Sequence, residues 1–200
     1  MKNVDWKNAV ILILIIPLSS TSAQNLKLGF QLESFQYFTN TDVINRTTNL
    51  SVSNYSSAFG AFAPTSLYLK FDVGITNELM LEFKPGFLFA DDYTGYEAGI
   101  FSKYKIYKFA NLIAFFNYHA NNDYSSNTGG ATSKGISLLG AGVGVDICEM
   151  IVLELLYSIP ISESQIGYTP SYKNDYSLRT ETNLKSIIKL GIGFSWSIAN

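Results

Sequence analysis

The stretch Ile188-Lys-Leu-Gly-Ile-Gly-Phe-Ser-Trp-Ser-Ile198 sets an apolar residue at every second position, with Lys189, Gly191, Gly193, Ser195 and Ser197 between them. A period of two puts the two sets on opposite faces of a β-strand, whereas a helix would space its apolar residues by three and four. The same alternation recurs toward the N-terminus. Leu26, Leu28, Phe30 and Leu32 alternate with Lys27, Gly29, Gln31 and Glu33. Leu67, Leu69, Phe71, Val73 and Ile75 alternate with Tyr68, Lys70, Asp72 and Gly74. Leu81 to Phe89 and Tyr96 to Ile106 follow, then segments over 112–120, 139–147 and 151–161. This predicts eight strands of about nine to eleven residues, the length of strands that cross a bilayer.

The connections alternate in length. Thr76-Asn77-Glu78, Tyr107 to Phe109 and Cys148-Glu149 read as tight turns. Thr39–Ser57, Asp91–Gly95, Asn121–Lys134 and Ser162–Asn183 read as long loops, rich in Asn, Ser, Thr, Tyr and Asp. Short turns at one end and long loops at the other describe an all-β, eight-stranded antiparallel up-and-down barrel. Pro85 has no N–H to give a sheet, so a bulge or irregularity is expected there.

Composition narrows the setting. Only 15% of the 200 residues are charged and 47% are hydrophobic, with a mean hydropathy of +0.13. Soluble domains carry about 25% charged residues. The chain is too apolar and too weakly charged for intrinsic disorder. After residue 20 the longest clean apolar run is Leu112 to Phe116, far short of the roughly 20 residues a spanning helix needs. Residues 1–23 read as a secretory signal peptide: Lys2 and Lys7, the run Ala9–Leu18, then Thr21-Ser22-Ala23. Residues 24–200 would form one domain with 12 basic and 15 acidic residues, a net charge of −3. There is no basic stripe for nucleic acid. Cys148 is the only cysteine, which excludes an internal disulfide; a small packing residue is the expected role.

The polar faces decide which side looks outward. They carry Lys27, Lys70, Lys84, Lys103, Lys105, Lys185 and Lys189 against Glu33, Asp72, Glu82, Glu97, Asp146 and Glu154, and the apolar faces carry no charge. Near-balance of sign suits a closed interior, where an unpaired charge is costly, with pairs such as Asp72 and Lys70 or Lys84 filling the lumen. Glycines at 29, 74, 86, 99, 140, 142, 144, 191 and 193 share that phase and would make room for long Lys and Glu side chains. Aromatics at segment ends, among them Tyr37, Phe38, Phe87, Phe89, Tyr93, Tyr96, Tyr104, Tyr107, Tyr157 and Trp196, suit the two interfacial girdles of a transmembrane barrel. A lipocalin-like periplasmic carrier of an apolar ligand, with its apolar face turned inward, remains the alternative.

On these features the mature chain resembles the small outer-membrane β-barrels of Gram-negative bacteria, the OmpA/OmpX type. Leu190–Ile198 is similar to the final-strand signal read by the outer-membrane assembly machinery, although the chain ends at Ala199-Asn200 and not at an aromatic. The resemblance implies insertion in the outer membrane, short periplasmic turns and long outer loops. It further implies contact with lipopolysaccharide and phospholipid, a monomer, and a structural or adhesive role with an extracellular ligand at the loops. Lipid A-modifying enzymes share this barrel size, and deacylases among them carry a His-x-Ser arrangement. Here His119 is followed by Ala120-Asn121, so the motif fails, and His119 is expected to point inward as a structural residue. No catalytic, cofactor-binding or metal-ligating set is assigned; Asp91, Asp92 and Asp123 read as solvated loop acids.

Overall fold

The computed structural model describes residues 26–45, 47–59, 66–89, 94–121, 125–126, 129–131, 135–162, 164–170 and 178–199. The signal-peptide reading of 1–23 and the loop acids Asp91, Asp92 and Asp123 lie outside these residues.

Among the described residues twelve strands form one antiparallel sheet: β1 (Leu26–Asn45), β2 (Ser51–Phe59), β3 (Ser66–Gly74), β4 (Leu79–Leu88), β5 (Gly95–Tyr107), β6 (Ala110–Asn121), β7 (Ser125–Ser126), β8 (Gly129–Ala131), β9 (Gly135–Cys148), β10 (Ile151–Pro160), β11 (Gln165–Pro170) and β12 (Leu178–Ala199). Eight of them close a ring in the order β1, β3, β4, β5, β6, β9, β10, β12, the last returning to β1 through pairs from Leu26↔Ala199 onward. Closure satisfies the backbone edges that a hydrocarbon environment could not. Leu69, Phe83, Ile100, Leu112, Phe116, Leu155 and Leu190 project from the outside of the ring. The charged residues of the opposite phase, Lys70, Lys84, Lys103, Glu154 and Lys189, are buried, so the two faces have the expected sense.

The stretches read as long loops differ from expectation. Most of the stretch 39–57 is strand: β1 runs on to Asn45 and β2 returns beside it, paired from Tyr37↔Phe59 to Ile44↔Ser51. On the other flank β12 begins at Leu178 and its outer part pairs with β11, which pairs with β8, and β8 with β7. Threonine, tyrosine and β-branched residues suit a strand as well as a loop, and no glycine or proline interrupts 39–57. The result is a tall wall, β2-β1-β12-β11-β8-β7, beyond the ring.

Pro85 produces a gap and no bulge. The β3–β4 pairing passes from Tyr68↔Gly86 to Phe71↔Phe83 without changing register, while β4 and β5 pair through Pro85↔Ala98. The missing N–H removes a rung without displacing the strand.

Candidate functional site

The interior holds the densest chemistry in the chain. Five carboxylates (Glu33, Asp72, Glu82, Glu97, Glu154) and four lysines (Lys70, Lys84, Lys103, Lys189) are buried among the described residues. Each comes from the inward phase of a ring strand, so strand alternation alone delivers them to the axis. Lys84 reaches Glu33 at 3.2 Å, Glu154 at 3.1 Å and Glu82 at 3.6 Å. Lys103 bridges Glu82, at 2.7 Å, and Glu154. Lys70 pairs with Glu82 at 3.0 Å. Lys189 pairs with Glu97 and lies 3.5 Å from Glu33. Gln31 donates to both Glu33 and Glu154 at 2.8 Å, and Tyr68 donates to Glu97 while accepting from Lys189 at 2.9 Å. Lys84 also sits 3.9 Å above the Phe101 ring, a cation–π contact strengthened by the absence of water.

The pairing differs in detail from the sequence expectation. Asp72 makes no ion pair among the described residues; Lys70 and Lys84 turn to Glu82, Glu33 and Glu154 instead. Lys185 is not in the interior. Between Phe38↔Ser186 and Thr39↔Leu184 the register slips by one residue, and this β-bulge turns Lys185 outward and Leu184 inward. Lys27, Lys105 and Asp146 line a cavity of about 430 Å³ at the short-turn end. Its walls also include Lys70, Lys103 and Glu154, which belong to the ion-pair layer. Cys148 is exposed beside the same cavity and does not pack in a core. His119 is fully buried and stands opposite Glu97 in the β5–β6 register, the inward position expected of it.

Two apolar groups share the interior with the ions, a feature that the polar-phase reading missed. Phe35, Tyr37, Leu88, Ile136, Leu138, Ile166, Leu184 and Ile187 form a buried cluster at the long-loop end. Tyr37 therefore faces the lumen and is not part of a girdle, whereas Phe89, Tyr96, Tyr104, Tyr107, Tyr157 and Trp196 are exposed on the outside; Tyr93 lies outside the described residues. Phe101, Ile113, Phe115 and Leu156 form the second cluster, with Phe101 and Phe115 stacked at 4.7 Å. The inward glycines make room for polar side chains, as expected, at Gly193 beside Lys70 and at Gly191 beside Gln31 and Glu33, and for aromatic rings elsewhere. A Cβ at Gly86 would come within 2.2 Å of Tyr68 Cδ1, and one at Gly140 within 2.1 Å of Phe115 Cζ.

No group of three or more His, Cys, Asp or Glu side chains fit to hold a metal ion exists among the described residues. No protein-family model and no curated protein sequence matches the chain. Its fold does match solved structures. The outer membrane protein OprG from Pseudomonas aeruginosa superposes with a TM-score of 0.50 at 8% identity, over 87% of this chain and 97% of OprG. The N-terminal β-barrel domain of Pseudomonas aeruginosa OprF gives 0.48 at 11% identity, over 88% and 100% of the two chains. The Escherichia coli outer membrane protease OmpT gives 0.43 at 9% identity, over 89% and 99%. At such identities the likeness is one of fold, in keeping with the OmpA/OmpX-type resemblance. The chain folds as an eight-stranded outer-membrane type of β-barrel.

Proposed function

We propose that this chain is a non-enzymatic outer-membrane barrel with a closed interior, whose extended outer strands and loops make its specific contacts. Export by a cleavable signal peptide over 1–23 would deliver it, and the strand Leu190–Ile198 would present it to the outer-membrane assembly machinery. Phospholipid and lipopolysaccharide then surround a monomer, with the short turns in the periplasm. The observation that carries this reading is the ion-pair layer spanning the lumen, centred on Lys84, Glu82, Lys103 and Glu154. Eight strands enclose a space that side chains fill, and here the apolar cluster around Phe35 and Ile187 lies on the long-loop side of the ions. Such an interior leaves the structural or adhesive role to the tall wall outside.

Planar-bilayer recording tests the closed interior. Purified, refolded protein is expected to add no discrete current steps over the bare bilayer; steady ohmic steps that scale with protein would overturn it. N-terminal sequencing of exported protein is expected to start at Gln24. Soluble, detergent-free recovery from the periplasm would favour a carrier of an apolar ligand instead.

A further inference from the structure

Among the described residues the tall wall ends in an open strand edge. One edge of β2 is bonded to β1 from Tyr37 to Ile44, and the other pairs with no strand among the described residues. Natural sheets guard such edges with charge, proline, bulges or short length. Ser51-Val-Ser-Asn-Tyr-Ser-Ser-Ala-Phe59 has nine residues, no charge and no proline. Its one register slip against β1 lies between Val43 and Ile44, at the hairpin tip. Nothing in its sequence opposes the arrival of another strand.

Resting on the outer-membrane reading, we propose that β2 is a homophilic contact: its free edge pairs antiparallel with the same edge of a second copy held in an opposed membrane. The sequence is nearly self-complementary about Tyr55. An antiparallel register centred there sets Asn54 against Ser56 and Ser53 against Ser57 of the copy, small uncharged polar pairs on matching faces. The acidic neighbour is already held, because Asn54 donates to Asp42 at 2.6 Å and Ser56 to Asn40 at 2.8 Å on the β1 side. No like charges meet across the contact.

Symmetry selects the opposed membrane. Two copies in one bilayer are related by rotation about its normal, which leaves their β2 strands parallel. A two-fold along parallel strands sets carbonyl against carbonyl and N–H against N–H at equal height, so no ladder forms. Antiparallel strands obey a two-fold perpendicular to the sheet, an isologous arrangement. That axis lies in the membrane plane and inverts the second copy. Nine paired residues span about 30 Å, so the contact operates across a close approach of two surfaces.

Vesicles of phosphatidylcholine carrying the refolded protein, without surface glycans, provide the test. Gel migration before and after boiling verifies folding, and protease digestion verifies that the loops face outward. Wild-type vesicles are expected to aggregate, as read by light scattering. Tyr55→Lys vesicles and Tyr55→Glu vesicles should each aggregate at least tenfold more slowly, because the substituted residue meets itself on the two-fold. Mixing the two should restore aggregation. Independently, a Tyr55→Cys, Cys148→Ser chain should form disulfide dimers between two differently labelled vesicle populations, since directly opposed strand residues lie within disulfide reach. Folded, outward-facing wild-type protein that fails to aggregate vesicles would overturn the contact. So would Lys and Glu variants that aggregate alone as fast as wild type. Protein that never inserts would instead defeat the membrane reading, and the contact with it.

Discussion

Lys84 of β4 and Glu154 of β10 meet at 3.1 Å, although their strands stand on opposite sides of the eight-strand ring. The pair therefore crosses the diameter of the lumen and ties its two walls. Both side chains are about 1% exposed or less, where charge removed from one partner leaves the other stranded. Glu154→Gln is expected to lower the stability of the folded barrel by about 3–5 kcal/mol. Equilibrium urea unfolding in lipid vesicles measures this. A loss under about 1 kcal/mol would mean that the layer is hydrated and loose.

The lysines should not be equivalent. Among the described residues Lys70 ion-pairs with Glu82 alone, which keeps Lys103 at 2.7 Å, whereas Lys84 serves three carboxylates. Lys84→Met is expected to cost more stability than Lys70→Met by at least about 1 kcal/mol, in line with the number of carboxylates left unpaired. The same unfolding assay compares them directly. Equal losses would contradict the network as described.

The ring glycines make a steric prediction. Gly86 faces Tyr68, and a Cβ there would also lie 2.5 Å from the Leu67 carbonyl oxygen. Gly86→Ala should destabilise by about 1–3 kcal/mol through overpacking. Gly144, whose added Cβ would find its nearest neighbour at 3.3 Å, should tolerate alanine within about 0.5 kcal/mol. Paired unfolding curves of the two variants decide it.

The outer face makes a solvent prediction. Leu69 projects from the ring with 55% of its surface exposed, and Lys70 beside it is 1% exposed. Leu69→Arg should cost about 2–4 kcal/mol of insertion free energy if the residue lies near the bilayer midplane. Lys185, already outward at the bulge, should accept Arg with little change. The yield of folded protein in vesicles reports both.

The ring was legible because period-two alternation is a local signal. Leu26–Glu33 and Ile188–Ile198 declare their faces without knowledge of any partner strand, and nine of the thirteen polar-phase charges are buried as that phase requires. What escaped depends on pairing. Lys185 has the parity of Lys189, and only the slip between Phe38↔Ser186 and Thr39↔Leu184 reverses it; a bulge leaves no mark in the composition of one strand. Above the slip, Thr39–Ser57 is mostly polar, and its few apolar residues, Val43, Ile44, Leu50 and Val52, keep no period of two, so strand and loop look alike in sequence. The interior apolar cluster was hidden for a different reason. Ile136 and Leu138 share the inward parity of Gly140 and Gly142, and Ile187 that of Lys189, but their apolar type resembles that of lipid-facing residues; of the cluster only Leu184 owes its inward position to the slip.

Gel migration of folded against boiled protein tests the central claim most directly: that the apolar face meets lipid around a closed, charged interior. Refolded into detergent micelles or vesicles, the unboiled chain should run as a compact band that shifts on boiling, and it should fail to fold when detergent and lipid are withheld. A monomer that is folded and soluble in plain buffer, with no heat-dependent shift, would contradict the account and reverse the assignment of the two faces.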